Sequence, residues 1–295
     1  MEHHYHEVSG KNLFITIILN IIITLAQMVG GIFSGSLALL SDAMHNFSDV
    51  MALIIAYVAN RLTLKPNTHT KTYGYKRAEV LAAFMNASIL VGIGFFLIIE
   101  SIAKLFQPQT IDSSWLIWLG LLSIVLNAIS VLLIKKDASD NLNMKAVYLH
   151  LLSDVITSIA VMVGGIMMYF YNYFWIDPLI STAIAIYLIW ASSRIVKESV
   201  SILMQFVPDS ININEVVKFI TDANEIRNVH HVHIWKLDQH HIHLEAHLDF
   251  LENITLEQSH EILENLETTL RTYFEITHTT FQCEYNRHGN KNIIH

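Results

Sequence analysis

The sequence is short of charged residues. Only 15% of its 295 residues are charged, against about 25% in soluble domains, which argues against a wholly soluble protein. A single cysteine, Cys283, excludes an intramolecular disulfide scaffold. An excess of basic residues is also missing, since the net charge is −8, whereas nucleic-acid binders are basic. No nucleic-acid partner is therefore expected, and the 53% hydrophobic content indicates a membrane protein.

The acidic excess belongs to the last third of the chain. Residues 1–206 contain 12 basic and 12 acidic residues, whereas residues 207–295 contain 6 basic and 14 acidic residues and 11 of the 17 histidines. A composition shift of this kind indicates two domains in different solvents. We predict a transmembrane domain over residues 1–206 and an acidic, histidine-rich soluble domain over residues 207–295.

Several apolar segments are long enough to cross a bilayer core of about 30 Å. Three windows of at least 20 residues carry no charge at all, namely residues 12–33, 80–99 and 113–134. Three further apolar segments are interrupted by polar residues, at about residues 37–60, 146–171 and 176–198. We therefore predict a bundle of six transmembrane helices.

The basic residues of the membrane domain predict its orientation. With six spans, all but one of them fall in the N-terminal segment, in the second and fourth connections, or after the last span; only Lys104 lies on the other side. Cytoplasmic loops carry the excess of Lys and Arg. Both ends of the chain are therefore expected in the cytoplasm, where a lone cysteine fits the reducing environment.

Two of the interrupted spans repeat one pair of ionisable residues, His45 with Asp49 and His150 with Asp154. Residues at i and i+4 share a helix face, so two facing pairs would present two imidazoles and two carboxylates, a set suited to tetrahedral Zn²⁺. Ionisable residues inside a bilayer usually mark a transport pathway. The alternative is that they only tie helices together by hydrogen bonds. Asp42, just before His45, is expected near a helix end as a cap or entrance residue.

The soluble domain has the pattern of a small α+β fold. The predicted elements are a helix at 214–223, strands at 229–236 and 240–250, a helix from 255 to about 271, and a strand at about 276–285. Apolar and polar residues alternate strictly through the second strand, and Thr255 with Gln258 predicts a capping box. The side chains expected to face the core include Val217, Ile220, Leu256, Leu266 and Cys283.

Three motifs resemble those of a known family: SDAMHNFSD at 41–49, YGYKRAE at 73–79 and HLLSD at 150–154. They are similar to motifs of the cation diffusion facilitators, and nearly the whole chain resembles a bacterial zinc/cadmium/cobalt exporter. The resemblance implies efflux of divalent cations from the cytoplasm in exchange for protons, by a homodimer in the plasma (inner) membrane. The implied transport ligands are His45, Asp49, His150 and Asp154. The implied substrate is Zn²⁺, with Cd²⁺ or Co²⁺ as further substrates.

The resemblance also implies that the C-terminal domain is a cytoplasmic, metal-binding regulatory and dimerisation domain with a ferredoxin-like αββαβ fold. The matching positions for regulatory Zn²⁺ are His230, His243, His260, Gln282 and Glu284. Glutamine is a poor zinc ligand, so Gln282 weakens one tail site. The loop between the second and third spans has Lys71 and Tyr75 where some members have histidines. Two further histidines, His69 and His278, are accessory candidates.

Two other functions compete with transport. An intramembrane metalloenzyme would need an open coordination position and a base, as in the motif His-Glu-x-x-His, but His260-Glu261 is followed by Ile-Leu-Glu. A membrane-anchored metal sensor would not need ionisable pairs in its spans. We therefore predict a transporter rather than an enzyme, with lipid, divalent metal ions, protons and a second copy of the chain as its partners.

Overall fold

The computed structural model describes residues 10–63, 65–106, 110–135, 142–223, 225–287 and 292–293. The chain forms two compact units. One contains the chain up to residue 55 together with residues 85–194, and the other contains residues 56–84 and 195–295. The predicted boundary between residues 206 and 207 separates a membrane domain from a soluble domain, and it stays a prediction.

Six long helices occupy the described part of the chain up to residue 203. They are α1 (Gly10–Ser34), α2 (Leu37–Thr63), α3 (Ala78–Phe106), α4 (Ser113–Ile134), α5 (Leu142–Tyr171) and α6 (Ile176–Leu203). Among the described residues, five of these helices, all except α2, are long and apolar enough to cross a membrane. In α2 the polar run that includes Asp42, His45 and Asp49 lowers the mean hydropathy. The structure thus has five membrane-type helices, and the count of six spans stays a prediction.

Helix α4 packs along α5 and along α1. Two glycines lie where α4 and α5 approach most closely: a Cβ atom at Gly120 would stand 2.9 Å from Met162 Cβ, and one at Gly165 would stand 2.8 Å from Leu116 Cβ. Small residues let membrane helices approach at such distances. The close approach fixes the position of α5, the helix that carries His150 and Asp154.

The N-terminus of α2 is capped from another helix. Asp177, in the first turn of α6, is fully buried. Its carboxylate accepts hydrogen bonds from the backbone N–H groups of Leu37 at 2.8 Å and Ala38 at 3.2 Å, and from the Ser36 hydroxyl. The first N–H groups of a helix have no partner within the helix, and a carboxylate also complements their partial positive charge. Helix α6 therefore holds this end of α2.

The C-terminal domain contains five elements in the order helix, strand, strand, helix, strand. They are α7 (Ile213–Thr221), β1 (Ile226–Lys236), β2 (Ile242–Phe250), α8 (Leu256–Phe274) and β3 (Ile276–Tyr285). The strands form one sheet in the order β1-β2-β3, with β1 antiparallel and β3 parallel to β2. This is the αββαβ order that the family resemblance implied.

One face of the sheet packs into the core of the domain. In the second strand the apolar face is buried as predicted, because its five apolar residues are all buried: Ile242, Leu244, Ala246, Leu248 and Phe250. On the opposite face, however, His243 and Asp249 are buried as well. The capping box of Thr255 and Gln258 at the start of α8 is confirmed as well. Leu266 and Ile220 are buried as predicted.

Two predictions of inward-facing side chains need correction, those of Leu256 and Cys283. In α7 Val217 packs against the core as predicted, although it is only partly buried and its neighbour Val216 is fully buried. Leu256 is 89% exposed, because it is the first residue of α8 and directly follows the N-cap. Cys283 is exposed, because it lies near the end of β3, an edge strand of the sheet.

Candidate metal centres

Two helices bring four potential ligands together. His45 and Asp49 lie one turn apart on α2, and His150 and Asp154 lie one turn apart on α5. Between the helices, His45 Nε2 is 3.5 Å from Asp154 Oδ1, and His150 Nε2 is 3.2 Å from Asp49 Oδ2. Within each helix the corresponding nitrogen–oxygen distances are 3.9 and 3.8 Å. One ligand atom from each of the four residues lies within 4.8 Å of all the others.

These distances suit a tetrahedral metal ion. Zinc bonds of about 2.0–2.2 Å to nitrogen and oxygen place neighbouring ligand atoms about 3.4 Å apart. The observed separations of 3.2 to 3.9 Å need only small adjustments to reach that value. Two neutral imidazoles with two carboxylates also balance the charge of a divalent cation.

The cluster holds buried acceptors that lack hydrogen bonds. Although the nitrogen–oxygen distances are short, His45 Nε2, Asp49 Oδ2 and both carboxylate oxygens of Asp154 find no hydrogen-bond partner within the described part of the chain. A buried polar group without a partner costs about 1–3 kcal/mol, and more if it is charged. A bound cation or protons would satisfy all four atoms at once.

The two halves of this cluster differ in exposure. The side chains of His45 and Asp154 are 10% and 1% exposed, whereas those of His150 and Asp49 are 37% and 26% exposed. The ring of Tyr187, from α6, lies 6.1 Å from the His45 ring, measured between centroids. The cluster is therefore more open on the side of His150 and Asp49 than on the side of His45 and Asp154.

A second polar network lies inside the same unit. Asp42 was expected at a helix end, but it is the sixth residue of α2 and is 1% exposed. Its Oδ2 accepts hydrogen bonds from Gln27 Nε2 of α1 at 2.5 Å and from the Ser158 hydroxyl of α5 at 3.5 Å. Gln27 Oε1 in turn accepts from Asn46 Nδ2 at 2.9 Å. Asp42 therefore joins three helices beside the four ligands and does not cap α2.

The C-terminal domain contains a second cluster of ligand-type side chains. His230, His247 and Glu284 bring one ligand atom each within 4.8 Å of one another. His247 Nδ1 is 3.0 Å from Glu284 Oε1, and His230 Nε2 is 3.4 Å from Glu284 Oε2. His230 Nδ1 is 3.1 Å from Asn228 Oδ1, to which it can donate a hydrogen bond, so Nε2 is the nitrogen that faces the carboxylate. A ring nitrogen beside a carboxylate oxygen fits a metal ion, and the outer hydrogen bond orients the ring for it.

Four other predicted histidines lie outside the two clusters. His243 is buried and pairs with His278 across β2 and β3, with ring centroids 4.7 Å apart. His243 also stacks on Trp235 and contacts Tyr73 of the α2–α3 loop edge to face. His260 is exposed on α8, and His69 is exposed in the loop.

Gln282 lies beside the C-terminal cluster, and its role as a ligand stays a prediction. Its amide Nε2 donates a hydrogen bond to Glu284 Oε1 at 2.8 Å. His247, on the other hand, was not among the predicted site residues, although the alternation in β2 places it on the polar face. The missing information was the strand register, which sets His247 beside both His230 on β1 and Gln282 on β3.

Two family models match the chain. The model of the cation efflux transmembrane domain matches residues 13–204, and the model of the cation efflux protein cytoplasmic domain matches residues 208–286.

Three relatives show what the chain is similar to. It is 32% identical to the cadmium, cobalt and zinc/H(+)-K(+) antiporter of Bacillus subtilis, over 100% of this chain and 95% of the relative. It is 32% identical to the metal cation efflux system protein CzcD of Cupriavidus metallidurans, over 95% of this chain and 89% of the relative. It is 29% identical to the zinc transporter ZitB of Pectobacterium atrosepticum, over 96% of this chain and 89% of the relative. The chain belongs to the cation efflux family, the cation diffusion facilitators, which are multi-pass membrane transporters of metal cations.

Proposed function

We propose that this protein exports Zn²⁺ from the cytoplasm in exchange for protons, through His45, Asp49, His150 and Asp154. The observation that carries the proposal is the convergence of these side chains from two long helices, with four of their polar atoms buried and without a hydrogen-bond partner among the described residues. The names of the relatives, which include cadmium, cobalt and zinc antiporters, support divalent efflux and further transport of Cd²⁺ and Co²⁺.

The chemistry of the ligands couples metal to protons. Imidazole and carboxylate must lose their protons before they bind a metal ion, so metal and proton occupancy oppose each other. Zn²⁺ binds to the deprotonated cluster from the cytoplasm. When the site opens to the other side, protons displace the ion and then neutralise the two carboxylates during the return. Four protein ligands complete a tetrahedral shell and leave no position for a catalytic water, which favours transport over hydrolysis.

The proposal includes six spans with both termini in the cytoplasm of a plasma (inner) membrane. Helix α2 would be the sixth span, because its 27 residues are long enough to cross the bilayer and its polar residues form the metal site. The distribution of Lys and Arg supports the orientation. The family resemblance supports a homodimer, with the C-terminal domain contributing to dimerisation and binding regulatory Zn²⁺ through His230, His247 and Glu284.

Zinc-driven proton flux in proteoliposomes tests the transport proposal. In vesicles with the wild-type protein, a Zn²⁺ gradient should drive protons across the membrane in the opposite direction to Zn²⁺. Neither His45→Ala nor Asp154→Ala should support flux above that of empty vesicles. Phe47→Leu, at an exposed apolar position on the same helix, is the matched control and should transport normally. Full flux in the His45 and Asp154 variants would exclude this site as the pathway.

A further inference from the structure

A cationic side chain already binds the carboxylate of the C-terminal metal cluster. Arg287 Nη1 donates a hydrogen bond to Glu284 Oε1 at 2.6 Å. The same oxygen accepts from Gln282 at 2.8 Å and lies 3.0 Å from His247 Nδ1. The Glu284 side chain is 4% exposed, whereas that of Arg287 is 61% exposed. The guanidinium thus reaches in from solvent to a buried acceptor that a metal ion would also use.

The backbone brings Arg287 back to this point. Strand β3 ends at Tyr285, and the next residue, Asn286, has a φ of 53°. Asparagine is one of the few residues that adopt this left-handed conformation readily. Further on, His231 N donates to Asn292 O at 3.2 Å and Val232 N donates to Ile293 O at 2.8 Å. Arg287 therefore lies two residues after β3, and residues 292–293 contact β1.

The charge balance of the cluster points the same way. The Glu284 side chain is 4% exposed, and the charged guanidinium of Arg287 lies 2.6 Å from its Oε1. The negative charge of Glu284 is therefore already matched by Arg287. A guanidinium held on the chain meets its partner at a high effective concentration.

We propose that Arg287 is an internal competitor for the cytoplasmic metal: Zn²⁺ binds to His230, His247 and Glu284 only as the guanidinium leaves the Glu284 carboxylate. Arg287 thereby sets the Zn²⁺ concentration at which the C-terminal domain responds. The inference rests on the proposed binding of Zn²⁺ by this domain. It makes Arg287 a residue that tunes affinity without contacting the metal.

Zinc binding by the full chain in detergent tests this role. The background is His45→Ala with Asp154→Ala, so that titration with Zn²⁺ alone reports on the C-terminal domain. Arg287→Gln should bind Zn²⁺ about three- to fivefold more tightly, the upper part of the range expected when a partly exposed ion pair no longer has to be broken. Arg271→Gln removes the same charge from α8, where Arg271 donates only to Thr277 O among its described hydrogen bonds. This control should stay within about twofold of the background.

Arg287→Lys distinguishes the effect of the hydrogen bond to Glu284 from the effect of the positive charge alone. Lysine keeps the charge but lacks the planar fork of donors, so its Zn²⁺ affinity should lie between those of the background and Arg287→Gln. Equal or weaker binding by Arg287→Gln, or equal tightening by Arg271→Gln, overturns the role of Arg287.

Two further variants distinguish that failure from failure of the metal site. His230→Ala and Glu284→Gln should abolish Zn²⁺ binding to the background protein. If the background binds no Zn²⁺, or if these variants bind it unchanged, the proposed C-terminal metal site is wrong and the competitor role falls with it. If they abolish binding but Arg287→Gln does not tighten it, only the role of Arg287 is wrong.

Discussion

Asp42 illustrates how single buried residues hold the membrane unit together. It is a carboxylate on an apolar helix, and its described partners come from α1 and α5 rather than from its own helix. A buried acceptor of this kind lowers the stability of the folded protein little when it is hydrogen-bonded, and much more when a partner is removed. Gln27 is the principal partner, because it lies closest to Asp42 and also accepts from Asn46.

Replacing Gln27 by leucine should therefore destabilise the protein by about 1–3 kcal/mol, the cost of leaving a buried polar partner unsatisfied. The measurement is the melting temperature in detergent without metal. Thr24→Val, one turn earlier on α1, is the matched control, because the Thr24 hydroxyl bonds only to Asn20 O of its own helix. An equal or larger loss in Thr24→Val would contradict the importance of the Gln27–Asp42 pair.

His243 leads to a prediction about pH. Burial, followed by the nearby His278 and His241, lowers its pKa below the ordinary value of 6.5. Below about pH 6.5 the histidine of the unfolded chain binds a proton that folded His243 does not bind. The free energy of unfolding therefore decreases as the pH falls below about 6.5 and is restored when the pH rises above it. Metal-free protein should lose more thermal stability between about pH 7.5 and about pH 5.5 than His243→Phe does. The exposed His260→Phe should keep the wild-type pH dependence, and an unchanged dependence in His243→Phe would refute the assignment.

The residue types at the metal clusters were predictable, but their grouping was only partly so. The spacing of His45 to Asp49 and of His150 to Asp154 fixes each pair on one helix face, and the structure brings the two faces together. In the C-terminal domain the ligands come from three strands, and a sequence contains no strand register. The predicted ligands of the C-terminal domain therefore include His243 but not His247, which lies on the same face four residues later.

At the level of the elements, α4 and α5 pack so closely at two glycines that neither position has room for a side chain. A side chain at Gly120 or Gly165 would meet Cβ atoms of the facing helix at 2.9 and 2.8 Å, so one helix would have to move. Because α5 carries two of the four ligands, such a movement also changes the geometry of the site. Gly92, on α3, has no atom within 4 Å of the position a Cβ would take.

Gly120→Ala should therefore lower stability by about 1–3 kcal/mol, as expected for overpacking. Gly92→Ala should be neutral or stabilising by up to about 1 kcal/mol, because alanine favours the helix over glycine. Melting temperatures of the two variants in the same detergent provide the comparison. A similar decrease in both variants would mean that helix propensity, and not the α4–α5 contact, explains the effect.

Helix and strand positions were largely predictable from hydrophobic patterns. The span at 113–134 coincides with α4, and the last strand at 276–285 coincides with β3. The helix ends were less predictable, because α2, α3 and α6 extend into residues that are too polar for the apolar windows. The exposed Leu256 and Cys283 show that a periodic pattern does not reveal where the packing partner ends.

The molecule as a whole combines two clusters that favour the same kind of ion. Both contain two imidazoles with carboxylate oxygen, a set that suits Zn²⁺ better than the hard cation Mg²⁺, which prefers octahedral oxygen ligands. A ligand that binds only the folded state stabilises it by about 2.7 kcal/mol at a hundred times its dissociation constant.

Zn²⁺ should therefore raise the melting temperature of the full chain, and a chelator should reverse the increase. Asp49→Asn with Asp154→Asn should remove part of the shift, and Glu284→Gln should remove another part. Mg²⁺ at the same concentration is the control and should have little effect. An equal shift with Mg²⁺ would indicate nonspecific charge screening instead of coordination.

Removal of the C-terminal domain tests how the work is divided between the domains. If residues 1–206 contain the pathway, a chain truncated after residue 206 should keep measurable Zn²⁺ flux in proteoliposomes, at a reduced rate. The same truncation with Asp154→Ala should have none. Complete loss of flux in a truncated protein that still folds, judged by its melting curve, would favour a sensor in which the helices serve as an anchor.

The capped end of α2 has a mechanical consequence. The hydrogen bonds of Asp177 fix the helix at Leu37. With a rise of about 1.5 Å per residue, His45 lies about 12 Å from that end. A tilt of about 10° around Leu37 would move His45 by about 2 Å, which is as long as a zinc–nitrogen bond. A small tilt at the capped end is therefore enough to open the coordination shell of the bound ion.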